Sequence, residues 1–171
     1  MLISESYRSL NRRLHEEGSY GRKGDKWAAR VKELMVEFQP STILDYGCGQ
    51  GALARALDFE VQEYDPAILG KNTLPTPADL VVCTDVLEHV EPECVEDVLD
   101  HLQSVTRVAL FAVISTRPAK KILADGRNAH LLVMDWEWWQ YRLSARFELM
   151  NPIENHKEFQ IVLLPKRQGN N

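Results

Sequence analysis

A chain of 171 residues, 44% of them hydrophobic, can bury one well-filled core and is too short for two ordinary domains. Its formal net charge of -5 argues against a protein that coats nucleic acid by bulk electrostatics, and its three cysteines, Cys48, Cys83 and Cys94, are odd in number and lack metal-ligand spacing. That cysteine usage fits a reducing compartment, and with no basic-then-apolar leader and no apolar run near a membrane span, the expectation is a cytoplasmic protein with no membrane partner.

Taken in chain order, residues 1–40 read as leading helices. The segment "YRSLNRRLHEEGSYGRKGDKWAAR" is basic; a solvated helix is the simpler account of Arg8, Arg12 and Arg13, and a basic face formed with Arg117 to Arg127 would favour a nucleic-acid or phosphorylated substrate. Trp27, Val31, Leu34, Met35 and Phe38 then recur at helical spacing between Asp25, a candidate N-cap, and Pro40, a stop. "TILDY" reads as a short buried strand, "ALARAL" as a helical turn or two, "FEVQEYD" as a second strand and "ADLVVCTD" as a further buried strand. Val95, Val98, Leu99, Leu102 and Val105 form the stripe of an amphipathic helix, and "RVALFAVIS" is the most apolar strand. "RFELMN" and "KEFQIVLLP" look like a C-terminal hairpin, and the polar tail over 166–171 is expected to be disordered. Strands apolar on both faces and separated by helices imply a covered parallel sheet, here an α/β core over 41–165 with an antiparallel C-terminal edge.

In such a sheet ligands sit outside the carboxyl ends of the strands. "ILDYGCGQG" (residues 43–51) falls there: Gly47, Gly49 and Gly51 let the backbone turn and approach a ligand, and the next helix offers free N–H groups. The glycines also satisfy a loose dinucleotide pattern, but Asp45 would oppose a pyrophosphate and suits a cationic ligand. Asp65, at the end of the second strand, is placed to accept hydrogen bonds from ribose hydroxyls. A nucleoside with a positively charged amino-acid tail satisfies both acids.

The motifs "ILDYGCGQG", "EYDP" and "ADLVVCTDVLEHVEP" resemble, in order, those of class I S-adenosylmethionine-dependent methyltransferases. The resemblance implies a Rossmann-like, seven-stranded sheet, six strands parallel and one antiparallel, in a single domain over 1–171, and S-adenosylmethionine as cofactor. It implies that Asp45, Tyr46, Gly47, Cys48, Gly49 and Gly51 wrap the methionine part, that Asp65 holds the ribose, and that Thr84 and Asp85 lie beside the sulfonium. Only "PAILGKNTLPTP" separates the second motif from the strand at Asp79, where the family commonly has a helix and another strand, so the third-strand edge is expected to be shortened or missing. Pro66, Ala67, Thr84 and the 77–79 segment are the adenine candidates.

Chemistry beyond the cofactor falls to a few residues. If the acceptor is a hydroxyl or protonated nitrogen, His130, His89 or Asp85 is the candidate base, His130 first. Asp85, Glu88, His89 and His130 also resemble, loosely, the cation ligands of small-RNA 2′-O-methyltransferases, which would make the chain a metal-assisted enzyme; the plainer reading leaves the site without metal and His89 in a structural role. Arg117, Lys120, Lys121 and Arg127, beside Asn128, offer charge for an anionic acceptor, with solvated surface as the alternative for the two lysines. Trp136, Trp139 and Leu143 share one helical face and read as core; Trp138 and Tyr141 share another, which would stack a ring if it faced the ligand. Tyr20 and Gly21 are candidates for closing the leading segment over the cofactor. The functional expectation is methyl transfer to an unidentified small-molecule or nucleic-acid acceptor, with a non-catalytic S-adenosylmethionine-binding partner and a nicotinamide oxidoreductase as the other classes.

Overall fold

The computed structural model describes residues 1–16, 18 and 21–166; the contact expected of Tyr20 and the tail beyond Lys166 lie outside them. The chain opens with α1 (Glu5–Glu16), which buries Tyr7, Asn11 and Leu14, one position per turn. A 3-10 turn (Gly24–Trp27) leads into α2 (Ala28–Phe38). Asp25 is not the cap: it lies inside the 3-10 turn, and Trp27 takes the N-cap position without a side-chain bond. The stop is as expected, with Gln39 left-handed at φ 47°, its N–H on the Met35 carbonyl, and Pro40 next.

β1 (Ile43–Tyr46) is buried throughout, and α3 (Ala52–Ala56), β2 (Val61–Tyr64) and β3 (Ala78–Thr84) follow. α4 (Val95–Val105) buries all five stripe residues, and β4 (Thr106–Ser115) is followed after a long irregular segment by α5 (Trp136–Arg146). Asp135 caps α5 by accepting from the Trp138 N–H at 2.9 Å. β5 (Phe147–Glu154) and β6 (Glu158–Pro165) form the expected hairpin. Pro152, which cannot donate to a ladder, sits where the β5–β6 register shifts, next to Asn151 at φ 47°.

Among the described residues the strands form a six-stranded sheet in the order β2-β1-β3-β4-β6-β5. β6 runs antiparallel to both of its neighbours, so the sheet has five strands of one sense and one of the other, where seven strands had been expected. The strand that is missing is the one beyond β2. At that edge the Gln62 side chain stands in for a strand: its Nε2 donates to the Thr76 carbonyl at 3.1 Å and its Oε1 accepts the Thr76 N–H at 3.0 Å. One loop is thereby fastened where a ladder would run, and part of the exposed edge is covered.

Two large apolar clusters sit on the two faces of the sheet. One joins α4 and α5 to it through Leu99, Leu102, Trp139 and Leu143, and the other joins α2 and α3 through Val31, Leu34 and Leu53. A third, smaller cluster packs Tyr7 and Leu14 of α1 on Leu123 and Ala129 from the segment between β4 and α5. Chain order reverses between β1 and β3, which opens a crevice at their carboxyl ends. Among the described residues no helix is long and apolar enough to cross a membrane.

Candidate active site

A cavity of about 790 Å³ lies at that crevice, within the range of about 300–1,000 Å³ usual for small-molecule sites. The tips of β1 to β4 form its floor, and α1 with residues 21–26 forms its roof. One end is the glycine loop. Gly47 and Cys48 donate their N–H groups to the Tyr64 carbonyl at 2.7 and 3.0 Å, which ties the loop to β2. Gly49, at φ 51°, lies so close to the leading segment that a Cβ there would sit 2.6 Å from the Gly21 carbonyl oxygen, and the Gln50 N–H donates to that same oxygen at 2.8 Å. The leading segment thus meets the glycine loop through the backbone of Gly21.

Asp45 is buried at the tip of β1, and loss of water, reinforced by the charges of Glu63 and Asp65 and offset by Lys71, raises its pKa to about 7. Asp65 accepts the Gly49 N–H at 3.1 Å and the Ala67 N–H at 2.9 Å, with His15 Nε2 3.8 Å away. Lys71 bridges the Gly49 carbonyl at 3.2 Å and Glu63 at 3.1 Å. Pro66, Ala67 and Thr84 line the wall beside Asp65. The side chain of Tyr46 is engaged elsewhere, its hydroxyl 2.8 Å from His101 Nδ1, and burial pushes both that phenol and the Cys48 thiol upward. The 77–79 segment is not at the cavity. It begins β3, at the opposite end from Thr84, and Asp79 accepts the Ser41 N–H at 2.9 Å.

At the tip of β3, Asp85 takes a left-handed conformation (φ 57°) and is held by Lys26 Nζ at 2.7 Å and Trp27 Nε1 at 3.5 Å. This ion pair clamps the turn before α2 onto the sheet.

The other end is built from the 3-10 turn after β3 and from the segment between β4 and α5. Glu88, His89 and His130 bring one ligand atom each to within 4.8 Å of one another. His89 Nδ1 lies 2.7 Å from the Ala129 carbonyl oxygen and His130 Nδ1 lies 2.6 Å from that of Arg117, and the rings meet edge to face at 4.7 Å. Glu88 is 0% exposed, and neither carboxylate oxygen has a hydrogen-bond partner of good geometry, although the Glu88 and Ser115 backbones lie near enough to moderate its charge. Burial, with Asp85, raises the Glu88 pKa to about 8; burial, with His130, lowers that of His89 to about 4.

Arg117, Lys120, Lys121 and Lys157 stand at the rim. Arg127 is turned aside, paired with Asp125 at 2.7 Å and stacked on Tyr7 at 5.4 Å. Asn128 spends its side chain on the backbone of Ala119 and His130. Trp136, Trp139 and Leu143 are core as expected, Trp136 meeting Phe159 at 4.9 Å. Trp138 and Tyr141 are not at the cavity: Arg142 covers Trp138 at 3.6 Å, and Tyr141 is exposed on the outer face of α5. His15, Lys26, Ser115 and Lys157 belong to the cavity wall without a motif to mark them, since each arrives from an element whose docking is tertiary.

A family model described as a methyltransferase domain matches residues 20–157. Among solved structures, 1,6-didemethyltoxoflavin-N1-methyltransferase from Burkholderia thailandensis, with bound 1,6-didemethyltoxoflavin and S-adenosylhomocysteine, is 13% identical, with a TM-score of 0.70 over 98% of this chain and 92% of that one. A DhpI–SAH complex is 17% identical, with a TM-score of 0.66 over 95% of each chain. Magnesium protoporphyrin IX methyltransferase (ChlM) from Synechocystis PCC 6803, with bound SAM, is 17% identical, with a TM-score of 0.57 over 83% of this chain and 79% of that one. No curated protein matches the sequence.

Proposed function

The chain belongs to the methyltransferase domain family and is an S-adenosylmethionine-dependent methyltransferase; we propose that its acceptor is a small polar or anionic molecule with an oxygen or nitrogen lone pair, held under the basic rim. The observation that carries this reading is that a single roofed cavity joins the glycine loop and its two aspartates to the Glu88, His89 and His130 cluster. The residues present fit the cofactor. Asp45 is a buried carboxylate suited to an ammonium group, and Asp65, having accepted two backbone N–H groups, retains lone pairs for ribose hydroxyls. The loop from Gly47 to Gly51 would wrap the methionine part, and Pro66, Ala67 and Thr84 would flank the base.

When bound, S-adenosylmethionine supplies a methyl group on a sulfonium, released as the carbon–sulfur bond breaks and its electron pair returns to sulfur. The chain's task is to hold an acceptor lone pair about 3 Å from that carbon and to keep water out. The roof of α1 serves exclusion, and the tips of β3 and β4 set alignment. A hydroxyl acceptor forms the new bond through its oxygen and loses its proton at the Glu88, His89 and His130 end. Asp85, tied to Lys26, acts instead as a positioning residue for the turn before α2.

The test is release of S-adenosylhomocysteine by the purified protein, with small hydroxy and amino compounds bearing carboxylate or phosphate in one arm and short RNA in the other. Turnover in the first arm is expected. Turnover with RNA alone would transfer the reading to a polynucleotide acceptor, and cofactor binding with no release in either arm would favour a non-catalytic partner.

A further inference from the structure

We propose that Asn11 of α1 reads the base of the cofactor by accepting a hydrogen bond from the exocyclic amine of adenine, an inference that rests on the methyltransferase reading and assigns base selectivity to the roof of the site. It starts from a shortage of polar groups on the floor. The sheet ends at β2, and among the described residues none of 68–77 borders the cavity; Gln62 fastens Thr76 of that loop to the β2 edge instead. What stands next to Asp65 in the wall is Pro66 and Ala67, whose side chains carry no polar atom, and the Ala67 N–H is already spent on Asp65. A base lying there receives apolar contact from the floor, and its polar edge has to be met from elsewhere.

The roof offers that contact. Tyr7, Asn11 and His15 recur at every fourth position, which puts them on one face of α1, and all three line the cavity. His15 shows where that face lies, since its Nε2 stands 3.8 Å from the Asp65 carboxylate, the group that would take the ribose. Asn11 is one turn back, about 6 Å along the helix axis, in the direction a base would extend from its sugar. Asn11 is 8% exposed, and its amide has one orientation: Nδ2 donates to the Tyr7 carbonyl at 3.2 Å, and a carbonyl can only accept. Oδ1 is therefore the atom left over, and it has no partner among the described residues. An acceptor so placed selects a donor. Adenine supplies one in its exocyclic amine, whereas a purine with an exocyclic oxygen would set oxygen against oxygen. Turning the amide over gives no relief, because Oδ1 would then face the Tyr7 carbonyl. Helix packing alone would favour an apolar residue between the buried Tyr7 and Leu14; an amide there lowers helix propensity and buries a polar atom.

The test is calorimetric titration of the full chain with S-adenosylhomocysteine and with S-inosylhomocysteine, in which an exocyclic oxygen replaces the amine. The parent is expected to prefer the adenosyl compound by at least about tenfold, and Asn11→Leu and Asn11→Ser each to bring the two within about threefold of one another. Binding of S-inosylhomocysteine by the variants at the parent's affinity or better separates lost recognition from lost fold. A parent that binds both compounds equally overturns the role of Asn11 and leaves the methyltransferase reading standing. So does a preference that both substitutions leave unchanged, which would move base reading to another group such as Thr84, and so does an equal weakening of both compounds. Uptake of neither compound by the folded parent overturns the methyltransferase reading, and this inference with it.

Discussion

Asp45 sits at the β1 tip with its hydration already surrendered, and its behaviour with pH follows from that. Its folded pKa of about 7 stands above the ordinary 3.8 because burial comes first among the causes, Glu63 and Asp65 add to it, and Lys71 only partly compensates. The cofactor-free protein therefore favours the protonated acid: this group's contribution to stability is complete below about pH 4 and is lost as pH rises through about 7. A cationic ligand reverses the preference. Affinity for S-adenosylmethionine should fall about tenfold per pH unit below pH 7 and level off above it, with protons released on binding. Calorimetry across pH 5.5–8.5 checks this, and Asp45→Asn should bind more weakly with the slope gone; an unchanged slope in that variant would assign the pH dependence to another group. Asp45, the glycines and Asp65 were legible in the sequence because strand tip and loop are contiguous, so local pattern carries them. The pairing of Asp85 with Lys26 was not, because it depends on one left-handed residue and on how a 3-10 turn docks. The meeting of His89 with His130 depends on the path of an aperiodic segment whose anchors, such as the single bridge between Ile122 and Asn128, leave no periodic trace.

Among the elements, α1 is packed on a smaller apolar cluster than the sheet. It rests on a cluster of four buried residues, while the sheet is packed between two much larger ones. Its start is moored by Ser4, whose N–H and hydroxyl donate to Glu91 at 2.8 and 2.6 Å. Because α1 lines the cavity, opening of α1 is expected to set the rate of ligand exchange. Leu14→Ala should cost about 2–3 kcal/mol of local stability. In hydrogen exchange, residues 5–16 should lose protection first while β1, β3 and β4 keep theirs, and S-adenosylmethionine should dissociate faster. Equal loss of protection in the sheet would show that α1 does not open alone. The order of strands and helices was readable from apolar runs and stripes, since burial on two faces imposes those patterns. The count of strands was less so: 66–77 is a polar, proline-rich loop, and what closes the edge is one side chain, Gln62, reaching Thr76.

For the molecule as a whole, charge separates the small-acceptor reading from a polynucleotide one. The chain carries a net charge of -5, so a polyanion meets overall repulsion, and the basic residues at the cavity include Arg117, Lys120 and Lys157 on one side and Arg22 and Lys23 on the other. Arg127, which would have widened that patch toward α1, is neutralised by Asp125, and Arg8 is paired with Glu5 at 3.2 Å. A ligand with one or two anionic groups displaces few ions on binding. The KM of a small acceptor should therefore rise less than about 20-fold between 50 and 200 mM salt, whereas binding through six or more phosphates would weaken by about 10³ or more over the same range. Plotting log KM against log salt for each acceptor that turns over measures the number of phosphate-like contacts directly. A slope of two or less places the acceptor within the rim; a slope of five or more would mean a path for a polyanion across the surface, and with it a substrate far larger than the cavity.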